Sequence, residues 1–251
     1  MIILAVDGLA KTYGGVQAVA GVSFALARGE FLALIGPNGA GKTTCFNMLN
    51  GQIRPDAGSV RFEGRDITGM TPRQVWRLGV GRTFQITQIF ASMSVRENVQ
   101  LALAAHHRGV FSFLPRAAAL YRDEADGLLT QLGMEGQADR VCGVLAYGDL
   151  KRVELAVALA HAPKVLLMDE PTAGMAAQER LSLMALAAKL ARERQVSVLF
   201  TEHDMDVVFA YADRIIVMCR GRIIADGTPA EVRADPQVRE VYLGADTLFA
   251  A

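Results

Sequence analysis

A chain of 251 residues with 51% hydrophobic and 21% charged residues has ample material for one packed globular unit, which excludes disorder as the starting assumption. Lys plus Arg and Asp plus Glu both total 26, so no field of one sign draws the chain to a phosphate backbone or anionic lipid, and nucleic acid is not an expected partner.

At the N-terminus, MIILAVDGLAKTYGG is interrupted by Asp7 before a signal-peptide core could fit. Residues 1–35 read as short strands, with turn chemistry at Tyr13-Gly14-Gly15 and Arg28-Gly29 and a buried strand FLALI at 31–35. Residues 42–50 have helical spacing, and Gly51 falls where a C-terminal cap belongs. GSVRFEGRDI at 58–67 alternates as a strand should and is expected to pair antiparallel with the N-terminal strands. From about 72 to 160 the chain reads as mostly helical, with Pro72, Ser94 and Pro115 as helix starts or breaks, a candidate inserted helical subdomain. There follow a buried strand KVLLMDE at 164–170, an Ala- and Leu-rich helix at about 176–194 and a strand SVLFTEHD at 197–204. A strand pair about Arg220-Gly221-Arg222 and C-terminal helices complete the order. Strands alternating with helices imply a parallel sheet covered on both faces. No apolar run reaches the roughly 18 residues of a spanning helix, so any membrane role is expected to be peripheral. Cys45, Cys142 and Cys219 lack paired or metal-ligand spacing and are expected to be small core fillers in a reducing compartment.

The segment GPNGAGKTT at 36–44 follows a predicted strand and opens a predicted helix, the context in which Gly-x-x-x-x-Gly-Lys-Ser/Thr signifies a phosphate loop. Gly36, Gly39 and Gly41, with Asn38 and Ala40 between them, let the backbone wrap phosphate oxygens while the helix N-terminus aims N–H groups at them. Lys42 is expected to reach the outer phosphates, the Thr43 hydroxyl to ligate magnesium and Thr44 to contact the inner phosphate of ATP.

The apolar strand VLLMDEP ends in two carboxylates. Asp169 is suited to holding magnesium, usually through water, and Glu170 to polarising an attacking water as general base. His203 in TEHD follows another buried strand and suits either a sensor of the terminal phosphate or a structural role. Gln85 in RTFQ is a magnesium or water contact or a loop cap, and Tyr13 an adenine platform or an ordinary half-buried aromatic.

In this order, KTYGG at 11–15, GPNGAGKTT, RTFQ at 82–85, LAYGDLKR at 145–152, VLLMDEP and TEHD resemble the nucleotide-binding subunits of ABC transporters along nearly the whole chain. The resemblance implies an α/β P-loop ATPase of one domain. Its RecA-like core and antiparallel β subdomain would comprise 1–85 and 161–251, and its helical subdomain 86–160. It also implies Tyr13 under adenine, Gln85 between magnesium and the transmembrane partner, Glu170 and His203 as base and switch, and LAYGD as a signature loop binding the ATP of the opposite subunit. Gly148 opens a helix whose N-terminus offers donors to that phosphate, so a head-to-tail pair, of like or unlike subunits, would close two ATP sites at once.

Two departures stand out. Ala146 occupies the place of the usual signature serine, so weaker ATP-driven dimerisation or slower hydrolysis is expected, and PTAGMA after the base lacks the customary acidic residue. RTFQITQIFASMSVRENV, AAHHRGVFSFLPRAAALYRDEA, EHDMDVVFAYADRIIVM and VYLG are similar to importer ATPases for branched-chain amino acids, with urea and short-amide importers close behind. The implied setting is the cytoplasmic face of the cell membrane, bound to permease subunits and, through them, to a solute-binding protein. VFSFLP at 110–115 suits subdomain packing or a permease contact, and His106 and His107 read as exposed. A lipid-type exporter ATPase and a soluble ABC ATPase are the competing readings.

Overall fold

In a computed structural model of the chain, residues 1–83, 89–107 and 121–242 are described. Gln85, Pro115 and the stretch VFSFLP lie outside them.

Two long strands open the fold, β1 (Ile2–Tyr13) and β2 (Val16–Ala27), an antiparallel hairpin turning at Gly14-Gly15. Each has 12 residues rather than being short, because Gly8 and Gly21 sit at register shifts with positive φ and bend the ribbon instead of ending it. The strand β4 (Ala57–Phe62) pairs antiparallel with β1 as expected, and the two-residue β5 (Arg65–Asp66) completes a sheet of order β2-β1-β4-β5.

The second sheet contains β3 (Phe31–Ile35), β6 (Val80–Thr83), β7 (Val165–Asp169), β8 (Ser197–Thr201), β9 (Arg214–Cys219) and β10 (Arg222–Gly227). Its order is β10-β9-β3-β8-β7-β6, parallel except for the antiparallel β10–β9 pair. Successive residues of its central strands enter opposite cores, as the twofold pleat requires. Ala33, Ile35, Leu166, Met168, Val198 and Phe200 face one core, and Leu32, Leu34, Leu167 and Leu199 the other.

The first core is covered by α3 (Val95–His106), α4 (Arg122–Gln131), α5 (Tyr147–Leu159), α6 (Ala177–Glu193) and α7 (Met205–Tyr211). The second is shared with α1 (Lys42–Leu49), α2 (Pro72–Leu78) and the antiparallel sheet. Two further short helices, α8 (Pro229–Ala234) and α9 (Pro236–Tyr242), pack on β10. Pro72 and Ser94 start helices as expected. The Ser94 hydroxyl accepts from the Glu97 N–H while the Glu97 carboxylate accepts from the Ser94 N–H, satisfying two otherwise orphan donors. Gly51, at φ 79, follows the C-cap of α1 and donates to Met48 O.

Two further expectations are corrected. The region 72–160 contains the strand β6, whose Gly-Arg pair disguises a buried edge strand that gains its neighbour only in the folded sheet. Cys45 and Cys142 are core fillers, burial pushing the Cys45 thiol up to about 12, but Cys219 lies half-buried where β9 ends. Among the described residues no helix is long and apolar enough to cross a membrane.

Candidate active site

The parallel strands deliver their carboxyl ends to one edge of the sheet, where open α/β sheets carry ligand chemistry. From the end of β3 the chain enters the loop 36–41 and then α1, so the helix N-terminus faces the loop's hollow. Glycine is required at both ends of this loop by packing as well as by backbone angle. A Cβ on Gly36 (φ 152) would lie 2.1 Å from the Met218 carbonyl oxygen, and one on Gly41 (φ 101) 2.3 Å from that of Ala18. Lys42 curls back over the loop and donates from Nζ to the Gly36 O at 2.6 Å and the Pro37 O at 3.2 Å. Burial holds its ammonium below the ordinary lysine value, with the carboxylates of Glu170 and Asp169 pulling the other way.

Over the loop lies a cavity of about 300 Å³. Ala18, Asn38, Gly39, Ala40, Gly41, Lys42, Thr43 and Thr44 line one side, and Glu170 and His203 the other. The folding thus brings the phosphate loop, the base candidate and the switch candidate together. His203 Nε2 lies 2.8 Å from Glu170 Oε1. Glu170 takes a left-handed backbone (φ 49), uncommon for a side chain of its size, and its N–H donates to Thr201 O at 3.1 Å and Thr201 Oγ1 at 3.0 Å. The turn swings its carboxylate out of the sheet and into the cavity wall.

Asp169 remains inside, 6% exposed. Its Oδ1 accepts from Thr201 Oγ1 at 2.9 Å and its Oδ2 from Arg82 Nη2 at 2.8 Å, while Arg82 Nη1 reaches Asn47 Oδ1 on α1 at 2.7 Å. Since each carboxylate oxygen already accepts one hydrogen bond, Asp169 fits a divalent cation held through water rather than by direct ligation, and the exposed Thr43 hydroxyl fits a direct ligand. The donor set therefore suits Mg²⁺ beside a nucleotide. Arg82, Thr201, Glu202 and Thr172 were not singled out by sequence reasoning.

Tyr13 is not among the cavity-lining residues. It stands at the exposed tip of the β1–β2 hairpin that supplies Ala18, with Lys11 Nζ 5.7 Å from its ring centroid. Gly148 lies in the first turn of α5, in a separate cavity of about 410 Å³ lined by Ala146, Asp149, Arg152, Met175 and Glu179 among others, which shares no lining residue with the first. Ala146 occupies the N-cap of α5 and has no side-chain hydrogen bond to give. His106 and His107 are exposed, in ring contact with Trp76 and His161 and with Tyr121, respectively.

Residues 19–173 match the family model described as ABC transporter, and residues 222–247 that of the branched-chain amino acid ATP-binding cassette transporter. The chain is 40% identical over 251 residues to the high-affinity branched-chain amino acid transport ATP-binding protein LivG of Salmonella typhimurium, covering 96% of this chain and 98% of that protein. It is 39% identical over 249 residues to BraF, the protein of the same description from Pseudomonas aeruginosa, with the same shares covered. Among solved structures, an ATP-binding cassette of an ABC transporter in its ADP conformation superposes with a TM-score of 0.85 at 33% identity, over 97% of this chain and 99% of that one. A dimeric cassette in a post-hydrolysis state with ADP and Pi does so at 0.77 and 26%, over 90% and 99%. With a phosphate loop, two strand-end carboxylates and a histidine on one sheet edge and these matches over nearly its whole length, the chain belongs to the ABC transporter family as an ATP-binding, ATP-hydrolysing subunit.

Proposed function

We propose that this chain drives a membrane importer for branched-chain amino acids, closing with a second ATP-binding subunit around ATP and reopening after hydrolysis. The observation that carries the reading is the 2.8 Å contact between Glu170 and His203 in the wall of the cavity that Lys42 and Thr43 also line. The relatives' substrate and the match at residues 222–247 support the solute class.

In this reading the loop amides and Lys42 bind the β- and γ-phosphates. Thr43 and Asp169 hold Mg²⁺, which when bound neutralises charge on the phosphate oxygens. Glu170 orients and deprotonates the attacking water, and His203 keeps that carboxylate aimed while sensing the terminal phosphate. Tyr13 stacks on adenine, and Gln85 links the magnesium site to the permease. Gly148 of a second subunit presents the α5 N-terminus to the γ-phosphate, a role supported by the separation of the two cavities within one chain. The two-fold partner is a copy of this chain or a related cassette, and a dimeric neighbour with ADP and Pi supports such pairing. Permease subunits would hold the assembly at the cytoplasmic face, with a solute-binding protein contacting the permease.

Glu170→Gln tests the chemistry. ATP binding should persist while hydrolysis is lost and an ATP-bound dimer accumulates in size-exclusion chromatography; unchanged hydrolysis would remove Glu170 from the role of base. For the solute, the complex with its permease and solute-binding protein in proteoliposomes should take up labelled leucine on ATP addition. Uptake of urea instead would reassign it, and export of lipid would reverse its direction.

A further inference from the structure

The paired strands β7 and β8 stay in register through Asp169 and Thr201, where the ladder ends. One residue beyond Asp169 and two beyond Thr201 the molecule needs its closest control, because Glu170 and His203 meet there. The Glu170 N–H still donates to the Thr201 O, but the left-handed turn at Glu170 takes β7 out of the sheet and the ladder does not continue.

A buried carboxylate takes over where the ladder stops. Glu202, 4% exposed, directly precedes His203 and turns inward. Its Oε1 accepts from the Thr172 N–H at 2.9 Å and the Thr172 hydroxyl at 2.6 Å, and Thr172, itself 1% exposed, lies two residues beyond Glu170. Its Oε2 accepts from the His203 N–H at 3.2 Å, and the Asp204 backbone also bonds the carboxylate. Among the described residues no cation pairs with it. A buried anion held only by neutral donors is costly to keep, and all these donors come from the two loops that carry the base and the switch. Burial raises the carboxyl above the usual glutamate range, while every donor favours the ionised form.

We infer that Glu202 is a positioning residue for ATP hydrolysis: through Thr172 and its own backbone neighbours it clamps the Glu170 loop to the His203 loop. The inference rests on the reading of Glu170 and His203 as base and switch. It extends that reading by naming what fixes their separation. Glu202 lines no part of the nucleotide cavity, so its loss should be felt in turnover rather than in ATP affinity.

The test uses the full chain, with steady-state kcat and KM for ATP, fluorescent mant-ATP binding and thermal melting of each variant. Thr172→Val removes one donor at nearly constant volume, and Glu202→Gln removes the charge. Each should lower kcat by about tenfold or more, the usual effect of losing a hydrogen bond to a buried charged group, with KM and mant-ATP affinity within about twofold. Thr172→Ser, which keeps the hydroxyl, should restore kcat to within about threefold of the parent. In a His203→Ala background, where residual turnover is followed by release of radiolabelled phosphate, Thr172→Val should cost no more than about twofold further, since the clamp then has nothing to position. Parental kcat in both Thr172→Val and Glu202→Gln would overturn the inference. So would a full additional loss in the His203→Ala background, or a fall of kcat that merely follows the folded fraction. If Glu170→Gln and His203→Ala themselves retain parental hydrolysis, the base-and-switch reading fails. If they abolish it while the Thr172 and Glu202 variants do not, only the clamp fails.

Discussion

His161 makes the protein acid-sensitive at a residue outside the nucleotide cavity. The ring follows the C-terminal end of α5, stacks on Trp76 at 4.9 Å between centroids, and is 5% exposed. Its Nε2 is buried without a hydrogen-bond partner, so protonation there would place a charge with no acceptor. Burial, reinforced by the neighbouring His106, pushes its pKa down from 6.5 to about 4, against a backbone hydrogen bond with Ala158. Above pH 6.5 the ring is neutral in both the folded and the unfolded chain, and its contribution to stability is complete. Between 6.5 and 4 the unfolded chain binds the proton and the folded chain does not, so stability falls as pH falls. The full difference of 2.5 pKa units, from 6.5 to 4, corresponds to about 3 kcal/mol, of which about 2 kcal/mol is lost by pH 5. Other groups titrate in the same window, and His161→Phe, which keeps the stacking and removes the proton site, cancels them. Urea unfolding of both proteins at pH 7.5 and pH 5 should give a parent that loses about 2 kcal/mol more than the variant. Losses equal within about 0.5 kcal/mol would refute the reasoning, since they would mean that the buried ring is protonated at no cost.

Two further substitutions probe the site itself. Ala146→Ser places a hydroxyl at the empty N-cap of α5, and should tighten ATP-dependent dimerisation or speed hydrolysis by about tenfold; no change in either, by sedimentation and phosphate release, removes the hydroxyl from consideration. Arg82→Met leaves the buried Asp169 carboxylate without its guanidinium and should cost about 3 kcal/mol in urea unfolding, whereas a cost below about 1 kcal/mol would mean that Thr201 alone compensates that charge.

The site was legible where chemistry is written in consecutive residues. GPNGAGKTT, DEP and EHD each combine a backbone need with a reacting group, and the sheet edge brings them into one cavity. What sequence did not reveal are side chains whose role depends on a neighbour distant along the chain. Arg82 finds Asp169 87 positions later, and Glu202 finds Thr172 30 positions earlier. Neither has a local pattern, because a charged residue near a strand end reads equally well as solvated. The strand β6 was hidden for the same reason, its pairing to β7 being tertiary. The length of β1 and β2 is not legible because Gly8 and Gly21, which in a twisted ribbon serve as bends, break the alternating pattern without ending the strands.

The one-sided layout of the larger sheet also tells an engineer where this protein can be altered. Because phosphate loop, carboxylates and histidine all gather where the parallel strands finish, the turns that start those strands lie a strand's length away. Arg194-Gln195 before β8 is such a turn, with Gln195 exposed and in a left-handed conformation that only a reversal of the chain demands. A fluorophore or inserted peptide there would ride on the far side of the molecule from ATP and report on its motions without entering the reaction.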